Sequence, residues 1–237
     1  MSDNLGRIIS TLLEGVPVTI QATLGGIALT IVLALIAGLA LLSKSRTVRF
    51  FSRVYVEGFR GTSEMVQLFW LYFVLPALVG LQIVPLFAGV LVLGLNHGAY
   101  GAEIVRGAVQ SVPKAQHEGA VALNLGPVDR MRRVILPQAV VEMLPPFNNL
   151  FIQLLKSTAL LYFISAQEIT QKGEELRPAL PMGDLTVIYA VELIIYLLLA
   201  IAITIVMRAL ERAGARRLGR KPPPRRKVFS SATAGGV

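Results

Sequence analysis

The sequence predicts an all-α integral membrane protein with about five transmembrane helices, its N-terminus outside and its C-terminus inside. Three observations lead there. A mean hydropathy of +0.64, with 54% apolar and only 16% charged residues, sets most of this 237-residue chain apart from soluble domains. Residues 15–43 and 65–102 carry no Asp, Glu, Lys or Arg, and about 20 apolar residues suffice to cross the hydrocarbon core. The basic residues cluster at Lys44–Arg53, at Arg106–Arg133 and from Arg208 to Lys227. Five crossings put all three clusters on the inner side, as the positive-inside rule requires.

That distribution explains the formal charge of +9 as a topology signal, so no nucleic-acid partner is expected. The absence of cysteine excludes disulfides, thiolate metal sites and iron–sulfur chemistry. The first apolar block is not a cleavable signal peptide, because Asp3, Arg7 and Glu14 make its flank non-basic and the run is too long.

In chain order, Leu5, Ile8, Ile9, Leu12 and Leu13 stand at helical spacing and suggest a short interfacial helix. The first span covers about residues 16–42, and its Thr19, Thr23 and Thr30 read as hydroxyls bonded back to their own helix or as pore-lining groups. A basic turn at 44–53 leads to the second span, about 54–75, which opens with Glu57, Arg60 and Glu64. Those charges either lie at the interface or pair inside a bundle. The third span, about 86–105, carries Asn96, Tyr100 and Glu103 on one face at i, i+4 and i+7, a pathway or helix-contact stripe. His97 stands off that stripe without ligand partners, so no metal site is expected.

The segment after the third span, about 106–137, has its own punctuation. Ser111 is a capping candidate, Pro113 suits a first turn, and Gly126-Pro127 ends one helix and starts another. A helix of about 113–125 results, with Gly119, Ala120 and Ala122 offering a surface of small side chains and Glu118 a directional handle. The plainer alternative is an amphipathic helix lying on the bilayer. The fourth span, about 140–164, contains Lys156-Ser157-Thr158; a buried lysine needs a partner, and Glu103 and Glu192 are the candidates. A polar external stretch, 166–185, precedes the fifth span, about 185–207, which holds Glu192. Residues 1–213 thus form the transmembrane domain, and 214–237 a basic, disordered inner tail.

Glu118-Gly119-Ala120, Asn124 and Leu136-Pro137 together resemble the EAA loop of bacterial ABC-importer permeases: Glu-Ala-Ala, three residues, Gly, nine residues, Ile, any residue, Leu-Pro. The spacing is kept, with Val134 in the isoleucine position. Gly119 and Asn124 depart from the pattern, yet both are small or tolerant of left-handed backbone. Phe59-Arg60-Gly61-Thr62 with Gln67, Gly98-Ala99-Tyr100 with Glu103, and Lys156-Ser157-Thr158 are similar to the polar amino-acid uptake branch, most of all to ectoine and hydroxyectoine permeases.

The resemblance implies a multi-pass permease of the bacterial inner membrane, not itself an enzyme. It implies pairing with a second permease, identical or paralogous, with ABC ATPase subunits inside and a solute-binding protein outside. Glu118, Gly119, Ala120, Asn124, Leu136 and Pro137 would couple to the ATPase. Arg60, Thr62, Gln67, Asn96, Tyr100, Glu103, Lys156, Ser157, Thr158 and Glu192 are translocation-path candidates. No G-x-x-x-x-G-K-[ST] loop is present, so no cofactor is expected in this chain and ATP belongs to the partner. A secondary transporter would instead show an inverted repeat, and the two halves show none.

Overall fold

The computed structural model describes residues 2–179, 181 and 184–217. Its elements are helical, and no strand occurs among the described residues. In chain order they are α1 (Ser2–Leu41), α2 (Arg46–Arg60), α3 (Glu64–Val79), α4 (Pro85–Ser111), α5 (Lys114–Ala122), α6 (Pro127–Ile164), α7 (Ile169–Leu176) and α8 (Leu185–Arg217). By length and composition α1 and α8 can each cross a membrane alone. The pairs α2 with α3 and α6 with α7 qualify as bent spans, folded by 103° and 48°. At about 1.5 Å per residue the 27 residues of α4 reach about 40 Å.

The centre of the bundle is the pair α1–α4, whose backbones approach closely because the facing residues are small. A Cβ at Gly38 would lie 2.6 Å from the Ala102 carbonyl oxygen, and one at Gly94 would lie 2.5 Å from Leu29. Ala34, Val105, Phe147, Leu150 and Phe151 continue this core onto α6.

Residues 2–14 do not form a separate interfacial helix. They extend α1, and Ile8 and Leu12 are buried against Ile169 and Leu176 of α7 and Ile188 of α8. The amphipathic spacing divides: Ile8 and Leu12 meet protein, while Leu5, Ile9 and Leu13 stay exposed. Thr19 and Thr23 donate to the carbonyls of Gly15 and Thr19 at 3.1 and 2.7 Å, the back-bonded arrangement, and Thr19 Oγ1 also accepts from the Ile169 N–H.

The basic turn is α2 itself, and the second span is broken rather than continuous. The polar stretch before the last span holds α7, started by Glu168, whose buried carboxylate accepts from the N–H groups of Thr170 and Gln171 at 2.9 and 2.8 Å. It also accepts from the Tyr196 hydroxyl at 2.9 Å, which ties α7 to α8. The last helix continues past residue 214 to Arg217; residues 218–237 of the basic tail lie outside the described residues.

Two stretches of i→i−5 bonding interrupt the helices, at Trp70–Val74 and Arg130–Ile135. Each runs directly into a proline, Pro76 or Pro137. Proline has no N–H for the carbonyl four residues back and clashes with it, and a wider turn relieves both problems. The helices therefore run on through these points without a break.

Candidate functional site

The translocation-path candidates cluster where α2 stops. A helix C-terminus leaves four carbonyls without intrahelical donors, a heavy cost inside a membrane. Here each of the last four is satisfied. The Glu57 carbonyl accepts from the Gly61 N–H at 2.8 Å, and that of Gly58 accepts from the Thr62 hydroxyl at 2.7 Å. The Phe59 carbonyl accepts from the Gln67 and Asn96 amides at 2.9 and 3.1 Å. The Arg60 carbonyl accepts from the Tyr100 hydroxyl at 3.4 Å. The knot is cross-braced, with Gln67 Nε2 donating to Thr62 Oγ1 at 2.7 Å and Asn96 Nδ2 to Gln67 Oε1 at 3.1 Å.

The α4 stripe thus faces the α2–α3 joint with Asn96 and Tyr100, and the Arg60 guanidinium lies 5.2 Å from the Tyr100 ring centroid, within cation–π range. One turn on, Glu103 receives Arg106 Nε and Nη2 at 2.9 and 2.6 Å, and Arg106 Nη1 donates to Gln110 at 2.8 Å. Ser157 joins from α6 by donating to Glu64 Oε2 at 2.9 Å. Glu64 Oε1 lies 3.4 Å from Nδ1 of the buried His97, which also approaches the Leu93 carbonyl at 3.1 Å. Glu57, Arg60 and Glu64 therefore divide between the two readings: Glu57 and Arg60 are exposed, and Glu64 is held inside.

Three candidates lie elsewhere. Lys156 is exposed and makes no ion pair among the described residues, so the buried lysine partnered by Glu103 or Glu192 is not what the fold produces. It sits two residues before the helix tightens at Thr158, and the rotation per residue turns it outward while Ser157 faces α3. Thr158 is buried and donates back to the Leu155 carbonyl at 2.7 Å. Glu192 is buried against α7, its Oε1 filling the space a side chain at Gly173 would need and having no hydrogen-bond partner. Glu64 and His97 belong to the cluster although the helix-face argument singled out neither. Their signal was available only as a charge and an imidazole within otherwise apolar spans.

The loop helix α5 forms the second site. It starts at Pro113 without a side-chain cap; Ser111 ends α4 and donates to the Ala108 carbonyl at 2.9 Å, so it is not the capping residue. It ends before Gly126-Pro127, at Asn124, whose φ of 57° is left-handed. Leu125 N–H bonds to the Ala120 carbonyl at 3.0 Å and Asn124 N–H to that of Val121 at 2.8 Å, a Schellman ending that a left-handed residue permits. The position where the EAA pattern carries glycine is thus the one that needs positive φ, and asparagine meets the need.

The small-residue surface divides. Ala120 is buried against its own chain, while Glu118 and Gly119 are exposed, and nothing lies within 4 Å of a Cβ built on Gly119. Around them Val121, Leu123 and Val128 are 56%, 76% and 77% exposed. Sequence reasoning passed over this apolar trio because each residue is an ordinary helix or loop choice. Leu136 and Pro137 stand where α6 returns from its wide turn to α-helix. Among the described residues no three His, Asp or Glu side chains converge as metal ligands.

Comparison with known proteins agrees with this architecture. The family described as binding-protein-dependent transport system inner membrane component matches residues 30–216. A probable amino-acid ABC transporter permease protein, y4tF of Sinorhizobium fredii, is 43% identical over 213 residues, 88% of this chain and 89% of that protein. The glutamine transport system permease protein GlnP of Escherichia coli is 36% identical, covering 86% of this chain and 93% of its own length. The L-cystine transport system permease protein TcyB of Bacillus subtilis is 36% identical over 84% of each. Among solved structures, that of an amino acid ABC transporter with histidines superposes with a TM-score of 0.78 at 27% identity, covering 89% of this chain and 97% of that one. The MetNI methionine ABC transporter shares the fold, with a TM-score of 0.72 at 19% identity over 86% of this chain and 96% of that one. The chain therefore belongs to the inner-membrane components of binding-protein-dependent transport systems, and it is a multi-pass, membrane-spanning permease subunit.

Proposed function

We propose that this permease is the membrane subunit of an ATP-driven importer of polar amino acids or zwitterionic compatible solutes of the ectoine kind. It works beside a second permease, identical or paralogous, takes its solute from an extracytoplasmic binding protein, and faces the cytoplasm with α5 and its C-terminus. ATP binds the ATPase partners, and this chain needs no cofactor of its own. The observation that carries the reading is α5, which presents Glu118 and a bare Gly119 among exposed Val121, Leu123 and Val128. An apolar patch rimmed by polar groups on an otherwise anchored helix is a protein-docking surface. The relatives named for amino-acid, glutamine and cystine transport support the solute class.

In this mechanism closure of the ATPase partners pushes α5, and the Asn124–Pro127 turn passes the motion into α6. The bistable element is the helix packing around the α2–α3 joint, which both ends of the lever bias. A helix break lined by side-chain amides and hydroxyls is where a polar solute finds hydrogen bonds at membrane depth. The test is uptake of radiolabelled amino acids and ectoine by vesicles carrying the complete transporter with Glu118→Lys. Uptake should be abolished while the subunit remains inserted, and normal uptake would refute the coupling role.

A further inference from the structure

The structure holds a second polar feature beside the α2–α3 knot, sharing Glu57 and Arg60 with it. A half-open cavity of about 560 Å³ lies between the end of α1, α2 and the α5-proximal half of α4. Its charged and polar lining is Arg53, Glu57, Arg60, Glu103, Arg106 and Gln110. On α2 the residues Arg53, Glu57 and Arg60 stand at i, i+4 and i+7, one face of the helix. The volume falls in the range of small-molecule sites, roughly 300–1,000 Å³.

The two walls of this cavity differ in how their charges are held. On the α4 wall Arg106 closes on Glu103 at 2.6 Å, as Arg133 closes on Asp129 at 3.0 Å and Arg177 on Glu174 at 3.1 Å outside it. On the α2 wall Arg53 and Glu57, four apart, line the cavity without a salt bridge within 4.0 Å among the described residues, and Arg60 has none either, its guanidinium lying 5.2 Å from the Tyr100 ring centroid. Unpaired charges of both signs on one wall suit a ligand that itself carries both signs. Guanidinium forks match a carboxylate in two-pronged geometry, and Glu57 offers a counter-charge to an ammonium.

We propose that this cavity is a second binding site for the zwitterionic group of an α-amino acid. It lies on the α5 side of the α2–α3 knot and is occupied by solute on that side of the permease. Arg53 and Arg60 hold the carboxylate and Glu57 the ammonium, while the Glu103–Arg106 pair forms the opposite wall. This inference rests on the amino-acid reading of the function given above.

The chain has no cysteine, so a single introduced thiol reports on the cavity alone. Gln110→Cys is introduced on the lining, and the complete transporter is reconstituted in vesicles with the α5 side outward. The rate of labelling by a membrane-impermeant methanethiosulfonate is then measured with and without L-glutamine, or whichever standard L-amino acid the same transporter imports. The expected result is labelling slowed several-fold by the amino acid. Adding Arg53→Gln or Glu57→Gln should raise the protecting concentration at least tenfold. Acetate and ethylamine, each with one charge, should not protect at the concentration that suffices for the amino acid.

If the transporter imports the amino acid but the amino acid does not slow labelling, the second site is refuted and the proposed function stands. Equal protection by acetate refutes the zwitterion and leaves an anion site. If the reconstituted transporter imports no amino acid, the proposed function falls, and this inference with it.

Discussion

Replacing Gln67 with leucine tests whether the α2–α3 break is held by side-chain amides. The Gln67 amide donates to the Phe59 carbonyl at 2.9 Å and to Thr62 Oγ1 at 2.7 Å, and its oxygen accepts from Asn96 at 3.1 Å. Leucine removes all three bonds at similar volume. Hydrogen bonds between membrane helices average about 0.6 kcal/mol, and typical intramolecular bonds about 1 kcal/mol. Three bonds thus correspond to a loss of about 2–3 kcal/mol. The Phe59 carbonyl keeps Asn96 as a donor in the single variant, so it is not orphaned. In Gln67→Leu/Asn96→Leu it is, and leaving this part-buried carbonyl unsatisfied adds about 1 kcal/mol, the low end of the cost for a buried one. The direct Gln67–Asn96 bond is counted only once in that double variant. The assay is denaturant titration of the purified subunit in lipid nanodiscs, run as a double-mutant cycle over the two positions. A Gln67→Leu variant within about 0.5 kcal/mol of wild type, the range of neutral surface changes, would refute the reasoning.

Glu168→Ala should cost about 2 kcal/mol in the same titration, because it uncaps α7 and removes the carboxylate acceptor of the half-buried Tyr196 hydroxyl, which keeps only Thr170 Oγ1 at 3.4 Å. Asn124→Gly should leave stability and uptake unchanged, while Asn124→Val should cost roughly 1–2 kcal/mol locally, since a branched side chain resists positive φ; amide exchange over Leu123–Leu125 reads the difference. Lys156→Met should leave the melting of the isolated subunit unchanged, because the ammonium is exposed and unpaired among the described residues; a large destabilisation would show that it is held by a partner after all.

Composition and periodicity by themselves determined the class of the protein and most of its spans. Uncharged runs of this length have no soluble solution, and a polar loop between them must be punctuated by its own proline and glycine. The spacing from Glu118 to Pro137 pointed to α5 and the family, because punctuation by Pro113 and Gly126-Pro127 is local in sequence, while the left-handed end at Asn124 was seen only in the structure. The stripe Asn96–Tyr100–Glu103 was legible for the same reason: a helix face is a local property.

Only the tertiary structure decided what those faces meet. The same amphipathic spacing at residues 5–13 fits a bilayer surface or a protein groove, and packing on α7 and α8 took Ile8 and Leu12 while leaving Leu5, Ile9 and Leu13 exposed. Lys156 and Ser157 are adjacent in sequence, yet one faces outward and the other binds Glu64 on a different helix. Ala120 and Gly119 part company in the same way, one turned inward and one bare. The break after Arg60 depends on donors 36 to 40 residues away, Asn96 and Tyr100, which no local pattern connects to it. Sequence fixes the direction of a side chain relative to its own helix. The partner it finds depends on how separate helices are rotated against one another, and that is set by the packing of the whole bundle.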